Sequence, residues 1–176
     1  MTKTFFIKTY GCQMNLYDEG IVREILKREG YKPGKEEEAQ LFLILTCAVR
    51  KHAERRALGF LSSIQKLKKE RPERKIGVLG CLAKALGEKI LSLGADFVLG
   101  PDNYQKLPEM IKDSVIGVET TDSSTETYEE YPPEPKGVSA FLAIMRGCDN
   151  FCSYCIVPYC RGRERSKKFL KVLAEA

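Results

Sequence analysis

Two features of membrane and secreted proteins are missing from this sequence of 176 residues. No apolar run is long enough to cross a bilayer, which excludes a membrane-spanning helix. The N-terminus has no basic region followed by a long apolar stretch and a small-residue cleavage site. We therefore expect an unprocessed cytoplasmic protein that has no membrane partner.

Histidine is also scarce, since His52 is the only one in the chain. It lies early in a basic predicted helix, where a solvated side chain is a simpler interpretation than a metal ligand. No acid–base pair of side chains is evident elsewhere in the sequence. Catalysis by a histidine dyad is thus not indicated, and any difficult chemistry would have to come from a cofactor.

Cysteine, in contrast, is plentiful: there are seven, an odd number that does not suit a disulfide scaffold. In a reducing cytosol this content indicates metal ligation or redox chemistry, the alternative being buried and inert thiols. The net charge of +5 permits a polyanionic partner without demonstrating one.

Apolar runs and amphipathic stretches alternate through the first 118 residues. The patterns predict strands at residues 4–8, 41–45, 75–79, 96–99 and 115–118, and helices at 16–28, 49–70, 82–93 and 104–112. Strands that alternate with helices at this spacing form right-handed βαβ units around a parallel sheet. The predicted fold class is therefore α/β, with a Rossmann-like or flavodoxin-like parallel sheet.

The composition changes after residue 118. Residues 119–136 are acidic, rich in Ser and Thr and contain three prolines, which is typical of a linker. Residues 137–176 begin with a predicted strand, Val138 to Met145, and end with a predicted helix from Ser166. We expect residues 1–118 to form a self-sufficient domain, and residues from about 137 onward to be poorly packed, mobile or held by a neighbouring molecule.

A compact cysteine motif, Cys148-x-x-x-Cys152-x-x-Cys155, lies in this last segment. Three thiolates on one loop can hold three corners of a 4Fe–4S cluster and leave one iron open to bind a small molecule. Structural zinc is the rival interpretation, but it needs four ligands and no second cysteine pair lies nearby. Cys160 would be an awkward fourth ligand.

Three other cysteines, Cys12, Cys47 and Cys81, are 35 and 34 residues apart, and each directly follows a predicted strand. The carboxyl ends of parallel strands meet at one edge of a sheet, so these thiols should converge there. Helix N-termini at that edge lower thiol pKa values. The three residues are therefore candidates for a second cluster site, which would again leave one iron open.

The first motif resembles the radical S-adenosylmethionine superfamily. The matching run is Arg146-Gly147-Cys148-Asp149-Asn150-Phe151-Cys152-Ser153-Tyr154-Cys155. The resemblance implies that Cys148, Cys152 and Cys155 hold a 4Fe–4S cluster and that the loop, through Tyr154, contacts the adenine of the cofactor. Core packing is the alternative role for Tyr154.

Both cysteine sets together resemble the methylthiotransferase family. The matching segments are Tyr10-Gly11-Cys12-Gln13-Met14-Asn15, Thr46-Cys47-Ala48-Val49-Arg50, Gly80-Cys81, and Pro158-Tyr159-Cys160-Arg161-Gly162-Arg163-Glu164-Arg165-Ser166. The resemblance implies two 4Fe–4S clusters, the auxiliary one on Cys12, Cys47 and Cys81, together with S-adenosylmethionine. It also implies transfer of a methylthio group to an unreactive C–H bond, and an electron donor such as flavodoxin or ferredoxin.

Within the family, Gly-Cys-Gln-Met-Asn resembles the branch that modifies isopentenylated adenosine beside the tRNA anticodon, so the anticodon stem-loop is the expected partner. The branches that modify threonylcarbamoyladenosine or a ribosomal protein are alternatives, and a non-catalytic metal- or RNA-binding module is another. Leu45 and Cys160 depart from the usual pattern, Cys160 adding a thiol near the radical cluster. The family's radical domain is a partial (βα) barrel, of which the sequence contains only the first βα unit, so we expect this portion alone to be inactive.

Basic residues cluster after the cysteine loop. The cluster comprises Arg161, Arg163, Arg165, Lys167 and Lys168. We interpret it as a contact for tRNA phosphates, whereas the basic residues at the two ends of the helix at 49–70 are interpreted as a solvated surface.

Overall fold

Six parallel strands form the centre of the protein. A computed structural model describes residues 3–112, 116–125, 128–135 and 137–176. The strands are β1 (Thr4–Thr9), β2 (Lys32–Pro33), β3 (Leu41–Thr46), β4 (Lys75–Gly80), β5 (Phe97–Leu99) and β6 (Gly117–Glu119), in the sheet order β2-β1-β3-β4-β5-β6. Every pairing is parallel, which confirms the predicted α/β class.

Helices cover both faces of this sheet. They are α1 (Gln13–Arg28), α2 (Lys51–Glu70), α3 (Cys81–Leu86), α4 (Glu88–Ser92) and α5 (Leu107–Lys112), the last preceded by a 3-10 turn at Tyr104–Lys106. One core cluster contains residues of α1 and α5, and the other contains residues of α2, α3 and α4. Within the described ranges, no helix is long and apolar enough to cross a membrane.

Strand β3 shows why the chain folds this way. All six of its residues are buried, because neighbouring strands and helices surround it. Leu43 and Leu45 belong to one core cluster, whereas Phe42 and Ile44 belong to the other, as the alternation of side chains along a strand requires. Each such side chain contributes about 1.5–3 kcal/mol to folding when it is fully buried.

Local differences from the sequence prediction have local causes. Strand β2 was not predicted, since it has only two residues, one of them Pro33, and lies at the sheet edge. The helix predicted at 82–93 is divided at Gly87, whose φ of +36° cannot continue a helix. The strand predicted at 115–118 is found as β6, although Val115 lies outside the described residues.

The segment from residue 137 has little regular structure. It contains β7 (Met145–Arg146) paired antiparallel with β8 (Arg165–Ser166), and the helices α6 (Val157–Arg161) and α7 (Phe169–Glu175). The strand predicted from Val138 to Met145 is wrong except at its last residue. Among the described residues, no strand lies beside 138–144, and a strand without a neighbour lacks partners for its backbone groups.

The expectation that the tail, the segment from residue 137 onward, is loosely packed is also wrong in part. Val138 and Phe141 are exposed, in agreement with it. Arg146 and Arg161, however, are buried and ion-paired with α1. Tyr128, from the predicted acidic linker, is buried as well and stacks on a tyrosine of the sheet domain. Composition predicted a solvated linker but could not show that one aromatic residue inserts into the core.

Candidate metal centre

Three cysteines meet at the carboxyl edge of the sheet. β1, β3 and β4 are neighbours in the sheet, and Thr46 pairs with Gly80 in the parallel register. Cys47 and Cys81 are the next residues along their strands, and Cys12 follows β1 by three residues. All three line one cavity of about 220 Å³. The structure thus brings together the three residues that the strand-end pattern predicted to converge.

Asn15 holds the first two cysteine segments together. Its side-chain oxygen accepts a hydrogen bond from the Cys12 backbone N–H at 3.3 Å and lies 3.4 Å from the Cys12 Sγ. Its Nδ2 donates to the backbone carbonyl of Thr46 at 3.0 Å, immediately before Cys47. Asn15 is fully buried, so these bonds replace contacts that water would otherwise supply.

Thr46 joins the second segment to the third. Its hydroxyl donates to the Leu79 carbonyl at 2.6 Å and accepts from the Ala83 backbone N–H at 3.3 Å, in the first turn after Cys81. Glycine is required at two close approaches in this region. A Cβ on Gly11 would lie 2.9 Å from the Cβ of Cys47, and one on Gly80 would lie 2.6 Å from the Thr46 carbonyl oxygen. Asn15 and Thr46 were not singled out from the sequence, although their place beside the cysteines was a signal.

The opposite wall of the cavity comes from the last segment of the chain. Met145, Arg146 and Gly147 contribute from β7 and the residue after it, and Ile156, Val157, Cys160 and Arg161 contribute from α6 and the residue before it. Cys160 is only 2% exposed. The sequence predicted a thiol near the downstream motif at Cys160; the structure adds that its helix packs on α3 and that Cys160 lines the cavity of Cys12, Cys47 and Cys81.

The thiols around this cavity differ in acidity. A hydrogen bond from the Cys47 thiol lowers the pKa of Cys12, and the same bond raises the pKa of Cys47. Burial raises the pKa of Cys81, an effect that the Arg161 guanidinium partly offsets, and burial raises the pKa of Cys160 to about 11. Cys12 is therefore the most readily ionised thiol here, and the others would lose their protons on binding a metal.

Asp18, on α1, connects the cavity wall that contains Arg146 and Arg161 to the helix that packs on the sheet. The carboxylate is fully buried, and it accepts hydrogen bonds from Arg146 Nη2 at 2.8 Å and from Arg161 Nη2 at 2.7 Å. The Tyr104 hydroxyl lies 3.2 Å from the same carboxylate. Burial opposes the charge of Asp18, but the two guanidinium groups outweigh it and lower the pKa of the carboxyl.

The downstream motif forms a separate and more open loop. Cys148 and Cys155 are partly buried and Cys152 is exposed. The Cys155 N–H donates to the Cys152 carbonyl at 2.9 Å, and the Cys148 N–H donates to the Gly162 carbonyl at 3.2 Å. The loop therefore has a tight turn between its last two cysteines, and its base is tied to the residue after α6.

Backbone conformation shapes this loop further. Gly147 has a φ of +76°, and a Cβ there would lie 2.0 Å from the Arg163 carbonyl oxygen. Phe151 has a φ of +44°, the only positive value for a non-glycine residue in the described parts of the chain. Its ring packs edge-on against Tyr159 at 5.8 Å. Strain of this kind persists where surrounding contacts enforce it, and it is common at ligand sites.

Tyr154 extends into solvent, with 90% of its surface exposed. Core packing, the alternative interpretation from the sequence, is therefore excluded for this residue. A ring that is fully accessible beside Cys155 is available to a ligand. His52 is exposed on α2, as expected of a solvated helix residue.

The upstream cysteines have the chemistry of metal ligands. Among the residues that the structure describes, no group of three or more His, Cys, Asp or Glu side chains is arranged to hold one metal ion. Cys12, Cys47 and Cys81 are free thiols that border one cavity, and thiolates are the usual protein ligands of iron–sulfur clusters.

The first 100 residues match a known family. Residues 4–100 fit the model of the "Uncharacterized protein family UPF0004", which is more than half of the chain. The chain belongs to the UPF0004 family. The matched region contains the sheet through β5 and all three upstream cysteines, whereas the downstream motif lies beyond it.

Similarity to individual proteins extends over the whole UPF0004 chain. It is 42% identical to a protein of Chlorobium phaeobacteroides, covering 99% of this chain and 41% of that protein, and 44% identical to one of Chloroherpeton thalassium, covering 97% and 39%. Both are named tRNA-2-methylthio-N(6)-dimethylallyladenosine synthase. The chain therefore spans about two fifths of the length of these relatives. The matches confirm the resemblance to methylthiotransferases.

The basic cluster of this UPF0004 protein is mostly not free for phosphate. Arg161 is bound to Asp18, and Arg165 forms two hydrogen bonds to Asp102, at 2.8 and 3.0 Å. Lys167 is buried and pairs with Glu175. The prediction of a five-residue phosphate surface is corrected, because three of its cations are ion-paired with carboxylates of the chain. Only Arg163 and Lys168 of the five are exposed.

Proposed function

We propose that the chain is the N-terminal part of a tRNA methylthiotransferase that places a methylthio group at C2 of N6-isopentenyladenosine beside the anticodon. The relatives are named for this modification, and the identity to them extends over nearly the whole chain. The observation that carries the proposal is the convergence of Cys12, Cys47 and Cys81 on one cavity, because three strand-end thiols in one cavity form a ligand set.

Each cysteine set has its own role in this proposal. Cys12, Cys47 and Cys81 would hold an auxiliary 4Fe–4S cluster, and the triad Cys148, Cys152 and Cys155 would hold the cluster that binds S-adenosylmethionine. When bound, these groups supply one-electron reduction of the sulfonium and a site for the transferred sulfur. Tyr154, exposed next to Cys155, would contact the adenine of S-adenosylmethionine.

The protein's own residues provide ligation and a sheltered site. The cavity is bounded mostly by apolar and sulfur-bearing side chains, including Met14, Val49 and Val157, which restrict water. Asn15 and Thr46 fix the three cysteine segments relative to each other. We also propose that residues 1–118 are the domain of the auxiliary site, 119–136 a connecting segment and 137–176 the beginning of the radical domain.

The proposed partners follow from the same assignment. tRNA would be bound in part by the exposed cations Arg163 and Lys168, and an electron donor such as flavodoxin or ferredoxin would reduce the cluster in the cytoplasm. Each phosphate contact that is lost should reduce the slope of log affinity against log salt concentration by about 1. Arg163→Ala and Lys168→Ala should therefore each flatten this slope, whereas Lys66→Ala on α2 should not.

A chimera tests the activity. Residues 1–176 would replace the matching segment of the Chlorobium phaeobacteroides relative, in a host whose own gene for this modification has been deleted. We expect mass spectrometry of digested tRNA to show the 2-methylthio derivative of isopentenyladenosine. A product on threonylcarbamoyladenosine, or on a ribosomal protein, would identify another branch instead.

Matched variants of the chimera complete the experiment. Cys47→Ala and Cys152→Ala should abolish the modified nucleoside, and Lys66→Ala should leave its level unchanged. An active chimera that tolerates Cys47→Ala would show that the upstream thiols are not ligands, and no product from any form would refute the proposed activity for this chain.

A further inference from the structure

Asp18 binds both ends of the downstream cysteine loop. Its two oxygens accept hydrogen bonds from Arg146, two residues before Cys148, and from Arg161, six residues after Cys155. The 14 residues between the two arginines include all three cysteines of the motif. One carboxylate on the helix that begins directly after Cys12 thus holds the segment that carries the other cysteine set.

Charge makes this contact difficult to replace. Asp18, Arg146 and Arg161 are all buried, so neither guanidinium can exchange its partner for water. One carboxylate faces two cations; the rings of Tyr17 and Tyr128 lie against the Arg146 guanidinium, and the Tyr104 hydroxyl lies 3.2 Å from Asp18. Removal of the anion would leave the buried Arg161 guanidinium without the carboxylate that it is paired with, which is strongly destabilising for the contact.

The same contact forms part of the wall of the cysteine cavity. Arg146 and Arg161 both line it, as does Cys160, the neighbour of Arg161. Among the described residues, Arg161 Nη1 has no hydrogen-bond partner, although the side chain is more than nine-tenths buried. Arg161 thus donates a hydrogen bond from Nη2 to Asp18, and its side chain also forms part of the cavity wall beside the thiols.

We propose that Asp18 is a positioning residue: it fixes the Cys148–Cys155 loop relative to the Cys12, Cys47 and Cys81 set, and it holds in place the cavity wall that contains Cys160. The inference rests on the proposed function only for what the two cysteine sets bind. The contact of Asp18 with Arg146 and Arg161 exists in the chain without metal, and it is tested in that form.

The alkylation rate of Cys160 in the 176-residue chain measures whether Asp18 holds the cavity wall in place. In the parent, Cys160 should react slowly with iodoacetamide and the exposed Cys152 quickly, as followed by mass spectrometry of peptides. Asp18→Asn should accelerate the reaction of Cys160 on the order of a hundredfold and leave that of Cys152 unchanged. Hydrogen exchange should accelerate at residues 145–166 and stay slow in β3. Glu24→Gln, which removes an exposed ion pair on the same helix, is the matched control and should change nothing.

A second pair of variants separates charge pairing from packing. Arg161→Gln should release Cys160 as Asp18→Asn does, and Arg161→Lys, which keeps the charge, should recover most of the protection. The proposal is overturned if Asp18→Asn leaves the Cys160 rate unchanged, if β3 loses protection together with the tail, or if Arg161→Lys reacts as fast as Arg161→Gln. Failure of the chain to bind iron would count against the proposed function alone, since no metal is present in this experiment.

Discussion

At the scale of single residues, the cysteine cavity depends on side chains that are not ligands. Asn15 and Thr46 each make hydrogen bonds to two segments, so the three thiols are held by a chain of contacts that runs from Cys12 to the start of α3. Both residues are fully buried, and a buried polar group that loses its partner costs more than an exposed one.

Replacing Asn15 with Ala should destabilise the protein. The change leaves the Thr46 carbonyl without its side-chain donor and the Cys12 N–H without its acceptor, which should lower the free energy of unfolding by about 2 kcal/mol. Urea unfolding followed by circular dichroism measures this quantity. Ser62→Ala, which removes an exposed hydroxyl that bonds the Leu58 carbonyl, is the control and should change it by less than about 0.5 kcal/mol. Equal effects of the two variants would contradict a special role for Asn15.

Gly80 can be tested by comparison with Gly30. Both have positive φ, +98° and +79°, but a Cβ on Gly30 meets nothing within 4 Å, whereas one on Gly80 would lie 2.6 Å from the Thr46 carbonyl oxygen. Gly30→Ala should therefore cost only the backbone strain, about 1 kcal/mol. Gly80→Ala should cost about 3 kcal/mol, because crowding adds to strain in a region of φ and ψ that only glycine adopts readily. Thermal and urea unfolding of both variants would show this difference, and equal losses would refute the crowding.

At the scale of elements, α1 carries most of the connections around the site. It begins directly after Cys12, contributes Asn15 in its first turn and places Asp18 against the tail. Tyr17 adds a hydrogen bond to Glu175 in α7 at 2.8 Å. One helix thus packs on the sheet and at the same time binds the last segment, which explains why residues so distant in sequence share a cavity.

The contribution of Asp18 should depend on pH. Because its pKa in the folded protein is lowered below the ordinary value of 3.8, the stabilisation is complete above that value and is lost as the pH falls through the lower folded pKa. The difference in free energy of unfolding between the parent and Asp18→Asn should be constant from about pH 7 to pH 5 and shrink below pH 3.8. Urea unfolding at a series of pH values measures it. A difference that grows on acidification would contradict the ion pairing.

At the scale of the whole molecule, two cysteine sets with different surroundings lie on the two parts of the chain. The upstream set borders a cavity that is lined in part by the segment from residue 137 onward, and the downstream set lies on a loop whose middle cysteine is exposed. Cys47 and Cys81 of the proposed auxiliary site are thus buried, while the proposed downstream site is open on the side where Tyr154 extends into solvent.

Iron content should report the two sets separately. After anaerobic reconstitution with iron and sulfide, replacing Cys148, Cys152 and Cys155 together with Ala should remove about half of the bound iron, since one of two equal clusters is lost. Cys160→Ala should keep the iron, because this thiol lies on the wall and belongs to neither set. Iron and sulfide analysis with visible absorption gives the result, and retention of all the iron in the triple variant would refute the downstream assignment.

Local pattern in the sequence was enough for the sheet and for the meeting of Cys12, Cys47 and Cys81. An unbroken apolar run such as Leu41 to Leu45 predicts a buried strand, and parallel strands joined by helices must end at the same edge. Two-residue strands and the division of a helix at Gly87 escaped prediction, because they depend on a pairing partner or on one backbone angle rather than on a pattern.

Only the tertiary structure decided how the tail is held. Arg146 and Arg161 bind a carboxylate 128 and 143 residues away, and nothing in the residue types around them identifies that partner. The basic cluster looked like a surface for phosphate because a cation's sequence neighbours do not show whether it is buried. By itself, the sequence determined which thiols meet at the sheet edge, since the pattern of strands and helices is local. The fold alone decided which charges neutralise each other and that Cys160 lines the cavity, since burial depends on contacts between residues far apart in the chain.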